Sequence, residues 1–365
     1  MKFINSFRKL LSRYRYSAWL LDGAEKQSGE NLRIFYVGAG TINKNYFTNL
    51  VFKNVTKDKY LGRFWLSRPL GFIPKQAGGC DLAVTDIEKW HLADSKQPCF
   101  YVPCWVDGKV DIDETLRLAK KRESIKSDLR RIRKHGFTYD IERSREKFVE
   151  FYEQMYVPYI KNNFGNEAAL HSLEGILSRV DDSELLMVMK GDTAVTAEVI
   201  VYRNNEPWLM CLGVLDGDRK HVKAGAINAL YYYRLIHLKS KGFKEIDLGA
   251  SRGFLGDGVL QYKKKWGIGL TGMRENGFLI HRLAKTAGTR AFLLSNPFLL
   301  NGQEGFSSVC FVDGDKLPTE GQQKTMISRF AIPGINRLLI YQLGGNGSLL
   351  DFGLDAPVPV EVRRF

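Results

Sequence analysis

The chain has 365 residues, a length that suits two domains of about 150 residues each with ample hydrophobic core. Hydrophobic residues make up 44% and charged residues 26% of the sequence, which is close to ordinary globular usage. A formal net charge of +14 favours a polyanionic partner, whether nucleic acid, anionic lipid or a phosphate-rich cofactor.

Cysteine usage and hydropathy exclude two classes of protein. The five cysteines are an odd number without a CxxC pair, so we expect buried reduced thiols rather than a disulfide framework. No stretch approaches the roughly 18 to 20 apolar residues that a membrane span needs. The sequence therefore predicts a cytoplasmic protein.

The amino-terminal residues 1–11 are amphipathic and lack the features of a secretory signal. Phe3, Ile4, Phe7, Leu10 and Leu11 fall on one helical face, opposite the basic residues. The pattern is typical of a helix that lies on an anionic membrane surface, which would place the protein at the inner face of the membrane. It is also typical of a helix docked on its own core, which we favour.

Residues 1–112 mix strand and helix patterns. LRIFYVG alternates as a strand does from Leu32, residues 43–56 predict a helix, and PCFYVPCWVDGKVD predicts a strand pair. The GAG at residues 38–40 lacks the third glycine of a dinucleotide-binding fingerprint. We expect an α+β part here.

Residues 113–135 give the strongest helix signal of the chain. Leu118, Ile125, Leu129 and Ile132 mark one apolar stripe, and Gly136 ends the pattern. The remaining surface is basic, with Arg117, Lys120, Lys121, Arg122, Lys126, Arg130, Arg131, Arg133 and Lys134. Only Glu123 and Asp128 balance these charges between 117 and 134. The excess indicates an anionic partner, such as RNA or a membrane surface; the alternative is a solvated helix face.

The next segment reads as an α/β unit. After a helix pair, residues 183–214 predict three antiparallel strands joined by the GD and NNEP turns. Residues 224–241 then predict a helix, and residues 243–248 a short buried strand that contains Asp247 and ends at Gly249.

The ordered motif from this strand onward resembles the Fem-type branch of the GNAT superfamily of N-acyltransferases. In that branch the stretch reads as an aromatic-Asp-aromatic-Gly strand, a Ser, a Gly, and then aromatic-Lys-x-x-Trp-Gly. The matching positions here are Asp247, Gly249, Ser251, Gly258, Tyr262, Lys263, Trp266 and Gly267. The resemblance implies a GNAT-type α/β fold, with a mixed central sheet flanked by helices, over residues 113–275. It also implies that residues 1–112 are a degenerate copy of that fold, and it leaves residues 276–365 as an extension.

The resemblance implies an acyltransferase. Its expected donor is acyl-CoA, with acetyl-CoA first, and its expected acceptor is an amine or hydroxyl of a cell-envelope or exopolysaccharide precursor or another small molecule. The donor phosphates would lie on the loop at the start of the helix, at Arg219, Lys220, Lys223, Ala224, Gly225 and Ala226. This loop lacks the usual glycine spacing of the superfamily, so an aminoacyl-tRNA or an acyl carrier protein stays open as donor.

Acyl transfer needs an oxyanion contact, a base and a proton source. We expect the backbone between Leu212 and Val214 to supply the oxyanion contact. Asp247 is the first candidate for base or substrate orientation, with a structural salt bridge as the alternative. Glu198 interrupts the apolar run VTAEVIVY and is the second candidate, with a structural carboxylate as the alternative.

Three further residues are predicted to contact the leaving group or the acceptor, and they are Ser251, Tyr262 and Lys263. The histidines and cysteines show no metal-ligand spacing, so no metal is expected. A competing hypothesis is a non-catalytic copy of the fold that binds nucleic acid or an anionic membrane through the basic helix.

Overall fold

The computed structural model describes residues 15–65, 77–88, 99–165, 170–302, 304–345, 348–353 and 355–365. The predicted amphipathic helix at residues 3–11 lies outside these residues. Within the described part of the chain, no helix is long and apolar enough to cross a membrane.

Strands and helices are mixed along the chain. The strands are β1 (Arg15–Glu25), β2 (Asn31–Gly38), β3 (Phe52–Trp65), β4 (Leu82–Glu88), β5 (Cys99–Pro103), β6 (Val106–Asp111), β7 (Phe137–Glu142), β8 (Ser183–Lys190), β9 (Thr193–Arg203), β10 (Glu206–Val214), β11 (Glu245–Asp247), β12 (Gly269–Met273), β13 (Asn276–Arg282), β14 (Phe298–Gly302), β15 (Gly305–Asp313), β16 (Ile335–Leu343) and β17 (Val360–Arg364). The α-helices are α1 (Thr41–Val51), α2 (Ile112–Lys121), α3 (Glu123–Lys134), α4 (Arg145–Phe151), α5 (Val157–Phe164), α6 (Leu173–Leu177), α7 (Arg219–Ala224), α8 (Ala226–Ser240), α9 (Gly258–Lys265), α10 (Ala287–Ser295) and α11 (Glu320–Phe330). A π-helical segment (Tyr152–Tyr156) joins α4 to α5.

The chain divides into two compact units. The first comprises the described residues of 1–107, 250–261 and 270–365, and the second comprises those of 108–249 and 262–269. This grouping differs from the predicted segments 1–112, 113–275 and 276–365. The physical reason is that β13 pairs with both β4 and β5, which ties the later part of the chain to the early strands.

The first unit contains two sheets. One has the strand order β3-β1-β2-β4-β13-β5, in which β2 and β4 are parallel and the other neighbouring strands are antiparallel. The other has the order β14-β15-β16-β17. Phe47, Phe254, Phe278 and Phe292 are almost fully buried in its core, and the Phe47 ring centroid lies 5.3 Å from that of Phe278. Aromatic packing of this kind provides much of the free energy that stabilises a core.

The third sheet has the order β12-β6-β11-β10-β9-β8-β7, and its strands β7 to β11 belong to the second unit. Strands β8, β9 and β10 form the predicted antiparallel meander, whereas β10 and β11 are parallel. Mixed sheets flanked by helices confirm the predicted α/β class. The order of helix pair, meander, helix and strand is also the order that the resemblance implied.

The predicted helix at residues 113–135 is two helices. Arg122 has an extended backbone, with φ −75° and ψ 121°, between α2 and α3. Its Nη1 donates hydrogen bonds to the carbonyl oxygens of Lys264, at 3.1 Å, and Lys265, at 2.9 Å. Because α9 supplies these distant acceptors, the break could not be read from the helical pattern.

Two other predicted bounds are also corrected. The helix at 224–241 begins at Ala226, because Gly225 adopts the left-handed conformation with φ +100° and separates it from α7. The strand at 243–248 is only β11, since its pairing with β6 extends from Glu245 to Asp247. Gly249, with φ +73°, then turns the chain.

A buried carboxylate joins the helix and sheet layers of the second unit. Glu184, on β8, is only 2% exposed. Its oxygens accept hydrogen bonds from Tyr202 Oη at 2.7 Å and Lys241 Nζ at 2.7 Å, with His237 Nε2 also at 2.7 Å and Arg143 Nη2 in contact. Burial alone would raise the pKa of Glu184, but the hydrogen bonds from Lys241, Tyr202 and His237 outweigh it and lower the pKa to about 2.

We expect Glu184→Gln to destabilise the fold by about 2 to 3 kcal/mol at pH 7, because charged hydrogen bonds to a buried acceptor are lost. A folded-state pKa of about 2 lies below the ordinary value of roughly 4.3, so the ionised carboxylate stabilises the fold above that value. This contribution is lost as the pH falls from about 4 towards 2. Urea unfolding across this range should show the loss in the natural protein and a flatter profile in the variant.

Glu245→Gln is the matched control, since the Glu245 side chain is 62% exposed and lies 3.8 Å from its cationic partner. Equal stability of the Glu184 and Glu245 variants at pH 7 would contradict the assignment.

Candidate active site

The central sheet of the second unit opens beside β10. Strand β10 pairs with β9 from Glu206 to Val214, but its parallel pairing with β11 is limited to Trp208 opposite Asp247. Beyond Trp208, β10 therefore has a strand partner on one side alone within the described residues. Alternate backbone amides of a strand point to opposite sides, so this run presents amide groups towards the side that β11 leaves uncovered.

The open edge of β10 is shaped by a bulge and a close helix contact. The register with β9 shifts between Leu209 and Cys211, which makes Met210 the extra residue of a bulge. At Gly213, a Cβ atom would lie 2.5 Å from backbone atoms of both Met155 and Tyr156. Only glycine allows the π-helical segment to approach this closely. The predicted oxyanion residues Leu212 and Val214 flank this position.

The amino terminus of α8 follows β10 by way of α7. No side chain caps the first turn of α8, which leaves backbone amides and the positive end of the helix dipole available to an anion. The stem of Arg131, on α3, lies 3.0 Å from where a Cβ of Gly225 would be. Arg131 is exposed. A guanidinium and an uncapped helix terminus thus converge near Gly225 and Ala226.

The predicted donor loop is partly helical. Arg219, Lys220, Lys223 and Ala224 all belong to α7, which Asp218 caps by accepting a hydrogen bond from the Lys220 amide at 2.8 Å. Arg219, Lys220 and Lys223 contribute the exposed positive charge of their side chains, whereas Ala224 is uncharged. The amides that suit a phosphate are those at the start of α8.

Asp247 and Lys263 share one turn of the chain. Asp247 Oδ1 accepts a hydrogen bond from the Gly249 amide at 2.7 Å, and Lys263 Nζ donates to the Gly249 carbonyl at 2.8 Å. Asp247 is half-buried, whereas Lys263 is 4% exposed. The carboxylate therefore lies at the end of β11, next to the point where β10 and β11 part.

Glu198 has a different environment. It is 2% exposed and forms two hydrogen bonds of 2.6 Å with the Nε and Nη2 atoms of Arg234, itself 1% exposed. Burial raises the pKa of the Glu198 carboxyl, and the Arg234 guanidinium opposes that shift. Because both oxygens are engaged by one cation, the geometry favours the structural alternative for Glu198.

Tyr262 lies against the same helix as this ion pair. Its Oη donates to Asn228 Oδ1 at 2.6 Å, and its ring meets the Tyr231 ring edge-on, with centroids 4.8 Å apart. Arg234 also lies 4.2 Å from the Tyr231 ring centroid. Tyr262 thus packs on α8 a short way along from its amino terminus.

Ser251 is predicted from the sequence to contact the leaving group or the acceptor. It belongs to the first unit, where its backbone pairs with Val106 and its side chain is 1% exposed. Its Oγ has no hydrogen-bond partner among the described residues. The predicted role of Ser251 at the acyl site therefore has no geometric support within the second unit.

Sequence reasoning missed Trp208, Asn228 and Arg234. Arg234 had a readable signal, because it lies on the apolar face of α8 between Leu230 and Leu238 and needed a buried carboxylate partner. Asn228 and Trp208 had none, since their roles depend on where α9 and β11 lie. Across the described residues, no group of three or more potential metal ligands is present.

Comparisons with known proteins give distant structural likenesses. No family model and no curated protein matches the sequence. The chain is similar to the solved structure of FemX at 13% identity, over 73% of this chain and 88% of that one, with a TM-score of 0.37. It is similar to L-PGS from Bacillus licheniformis at 14% identity, over 74% and 87%, with a TM-score of 0.36. It is similar to a GCN5-related N-acetyltransferase from Kribbella flavida at 6% identity, over 82% and 61%, with a TM-score of 0.27. Likenesses at this level do not decide what this chain does.

We expect Glu198→Gln to destabilise the protein by about 3 to 5 kcal/mol, because it leaves the buried Arg234 cation uncompensated. Guanidinium unfolding monitored by circular dichroism measures this loss. Glu206→Gln, at an exposed position on the neighbouring strand β10, is the control and should leave stability unchanged. A Glu198 variant that unfolds with the natural protein would show that the pair does not support the fold.

Proposed function

We propose that the second unit is an acyltransferase whose donor lies in the opening between β10 and β11. The observation that supports this most directly is the single pairing of Trp208 with Asp247, after which β10 has a free edge on that side. The pantetheine arm of an acyl-CoA carries amide groups, which can hydrogen-bond to such an edge as an added strand would. A folded sheet that leaves a central strand half-paired needs another partner for these groups.

The donor's phosphates have a matching place. The chain continues from β10 through α7 to the uncapped amino terminus of α8, where Gly225 lets Arg131 approach closely. Backbone amides, the helix dipole and a guanidinium are the groups that bind a pyrophosphate. This combination supports a phosphate-bearing thioester such as acyl-CoA, with acetyl-CoA as the first candidate.

Asp247 is the residue best placed to act on the acceptor. In the proposed reaction an amine or hydroxyl attacks the thioester carbonyl, a C–N or C–O bond forms, and the C–S bond breaks. The carboxylate removes the proton of the attacking group, and the departing thiolate takes up a proton. Amide groups on the open edge of β10, near Leu212, would stabilise the oxyanion.

The acceptor class rests on the sequence resemblance. We propose an amine or hydroxyl of a cell-envelope or exopolysaccharide precursor, which is the expectation set by the Fem-type motif. An aminoacyl-tRNA donor is the second candidate, and the exposed basic side chains of α3 favour it. Arg133 and Lys134 have no carboxylate partner among the described residues, and Arg130 pairs with Glu123 at 2.6 Å.

Arg131→Glu should weaken binding of coenzyme A about 10- to 100-fold, because it reverses the charge beside the α8 terminus. Isothermal titration calorimetry with coenzyme A measures the change. Arg133→Glu is the matched control, since it makes the same charge change two residues away on the same helix. Equal effects of the two variants would mean that only the general charge of α3 matters.

No coenzyme A binding by the natural protein would exclude this donor. Retention of tRNA in a filter assay, with an affinity that falls steeply with salt, would then support the aminoacyl-tRNA alternative.

Asp247→Asn should lower turnover by ~10² to 10⁴ while leaving the melting temperature nearly unchanged. The amide oxygen of Asn can still accept the hydrogen bond from Gly249, but it cannot remove a proton. Release of the coenzyme A thiol from acetyl-CoA, with amine- and hydroxyl-bearing sugars as acceptors, measures turnover. Full activity with a lowered melting temperature would make Asp247 a structural residue.

A further inference from the structure

Arg252, in the first unit, is a buried arginine without a carboxylate in direct contact. Arg252 is 8% exposed, and its Cζ lies 3.7 Å from the Trp105 ring centroid and 4.0 Å from that of Tyr46. Two aromatic rings therefore pack directly against the guanidinium. Only the edges of the guanidinium remain for hydrogen bonds.

One of those edges is used within the protein. Arg252 Nη1 donates to Asn43 Oδ1 at 2.9 Å, and Asn43 Nδ2 donates to Asp86 Oδ2 at 2.9 Å. Asn43 therefore links the guanidinium to the Asp86 carboxylate. An arginine has five N–H donors, and among the described residues Asn43 is the one acceptor that Arg252 meets.

Other polar atoms of this unit are also buried without a partner. Tyr36 Oη and Tyr46 Oη have no hydrogen-bond partner among the described residues. Tyr36 is fully buried. A Cβ atom added to Gly38 would lie 3.3 Å from Tyr36 Oη and 3.3 Å from Asp86 Cβ, so the hydroxyl lies on the same side of Gly38 as Asp86. Buried hydroxyls are almost always hydrogen-bonded, so these two atoms have the capacity to bond to a molecule that enters the cluster.

The electrostatics of the cluster favour an incoming anion. Burial lowers the pKa of Arg252, although the nearby Asp257 and Asp86 carboxyl groups oppose this shift without contacting the guanidinium. Burial also raises the pKa of the neighbouring Asp86 carboxyl, although hydrogen bonds from Asn43 and Cys104 oppose this. Asp86 is therefore a poor substitute for a direct anionic partner of Arg252.

We propose that the Arg252 cluster, formed by Arg252, Asn43, Tyr46, Trp105 and Asp86, binds the carboxylate group of a small ligand. Because Nη1 donates to Asn43, the Nε and Nη2 edge is the part of the guanidinium that we assign to this partner. A planar carboxylate matches this edge with two parallel hydrogen bonds. A phosphate dianion is less well suited, because Arg252 is the only cation in the cluster and Asp86 lies behind Asn43.

Arg252 differs from a buried arginine with a structural role in the kind of acceptor that it contacts. A structural guanidinium at this depth is expected to form a direct ion pair, as Arg234 does with Glu198. Arg252 instead has a neutral amide on one edge and aromatic rings on its faces. This arrangement fixes the orientation of the guanidinium and keeps its remaining donors for another molecule.

The test is a thermal-shift titration of the full chain with acetate, succinate and benzoate. Their neutral amides and inorganic phosphate are titrated in parallel. We expect the carboxylates to raise the melting temperature saturably and the amides to have no effect. Arg252→Lys keeps the charge but loses the planar fork, so it should weaken carboxylate binding on the order of tenfold or more.

Two variants make the result specific. Arg274→Lys is the matched control, because Arg274 also lies over Trp105, at 5.9 Å, but is 58% exposed and pairs with Asp107. It should leave carboxylate binding unchanged. Tyr46→Phe keeps the ring on Arg252 and removes an unpartnered hydroxyl, so it should fold at least as well as the natural protein and bind carboxylates several-fold more weakly.

Three results would overturn the proposal. They are the absence of any carboxylate-dependent shift, unchanged carboxylate affinity in Arg252→Lys, and tighter binding of phosphate than of the carboxylates. If Arg252→Lys does not fold, unchanged affinity in Tyr46→Phe would decide against the site.

Discussion

The ion pair between Glu198 and Arg234 is the constraint on which the second unit depends. Both side chains are almost fully buried, and their two hydrogen bonds of 2.6 Å tie the middle of α8 to β9, the central strand of the meander. A buried pair of this kind need not add much net stability, but either member alone would be costly. The pair therefore fixes the position at which α8 packs on the sheet. That position sets where the amino terminus of α8 lies.

The two buried arginines, Arg234 and Arg252, differ in the partners that the protein provides for their charge. Arg234 has a carboxylate that matches it in charge and in geometry. Arg252 has comparable burial, but its protein acceptor is the amide oxygen of Asn43. Evolution of a stable fold alone would favour an acidic residue at position 43, since an uncompensated cation destabilises the folded state. The neutral partner is understandable if the charge of Arg252 is completed by a ligand.

The sequence predicted the elements whose signals are local. The meander of β8, β9 and β10 followed from alternation and turn residues, and the basic character of α3 followed from composition. The break at Arg122 could not be predicted, because its acceptors are carbonyl groups more than 140 positions away in the sequence. Asp247 was found from its place at the end of a strand, whereas Ser251, only four residues later, belongs to the other unit. Which unit a loop residue joins depends on long-range pairing that no local pattern records.

A central strand whose backbone groups are unpaired along one edge lowers the stability of a folded protein. Each buried backbone amide or carbonyl without a partner destabilises the fold by about 1 to 3 kcal/mol, so most sheets avoid such edges in their interior. Here β11 ends at Asp247 because the Gly249 turn, held by Asp247 Oδ1 and Lys263 Nζ, directs the chain away from β10. The residues that hold this turn are those of the sequence motif. The motif therefore has a structural role beside any catalytic one, because it limits the pairing of β11 with β10 to a single position.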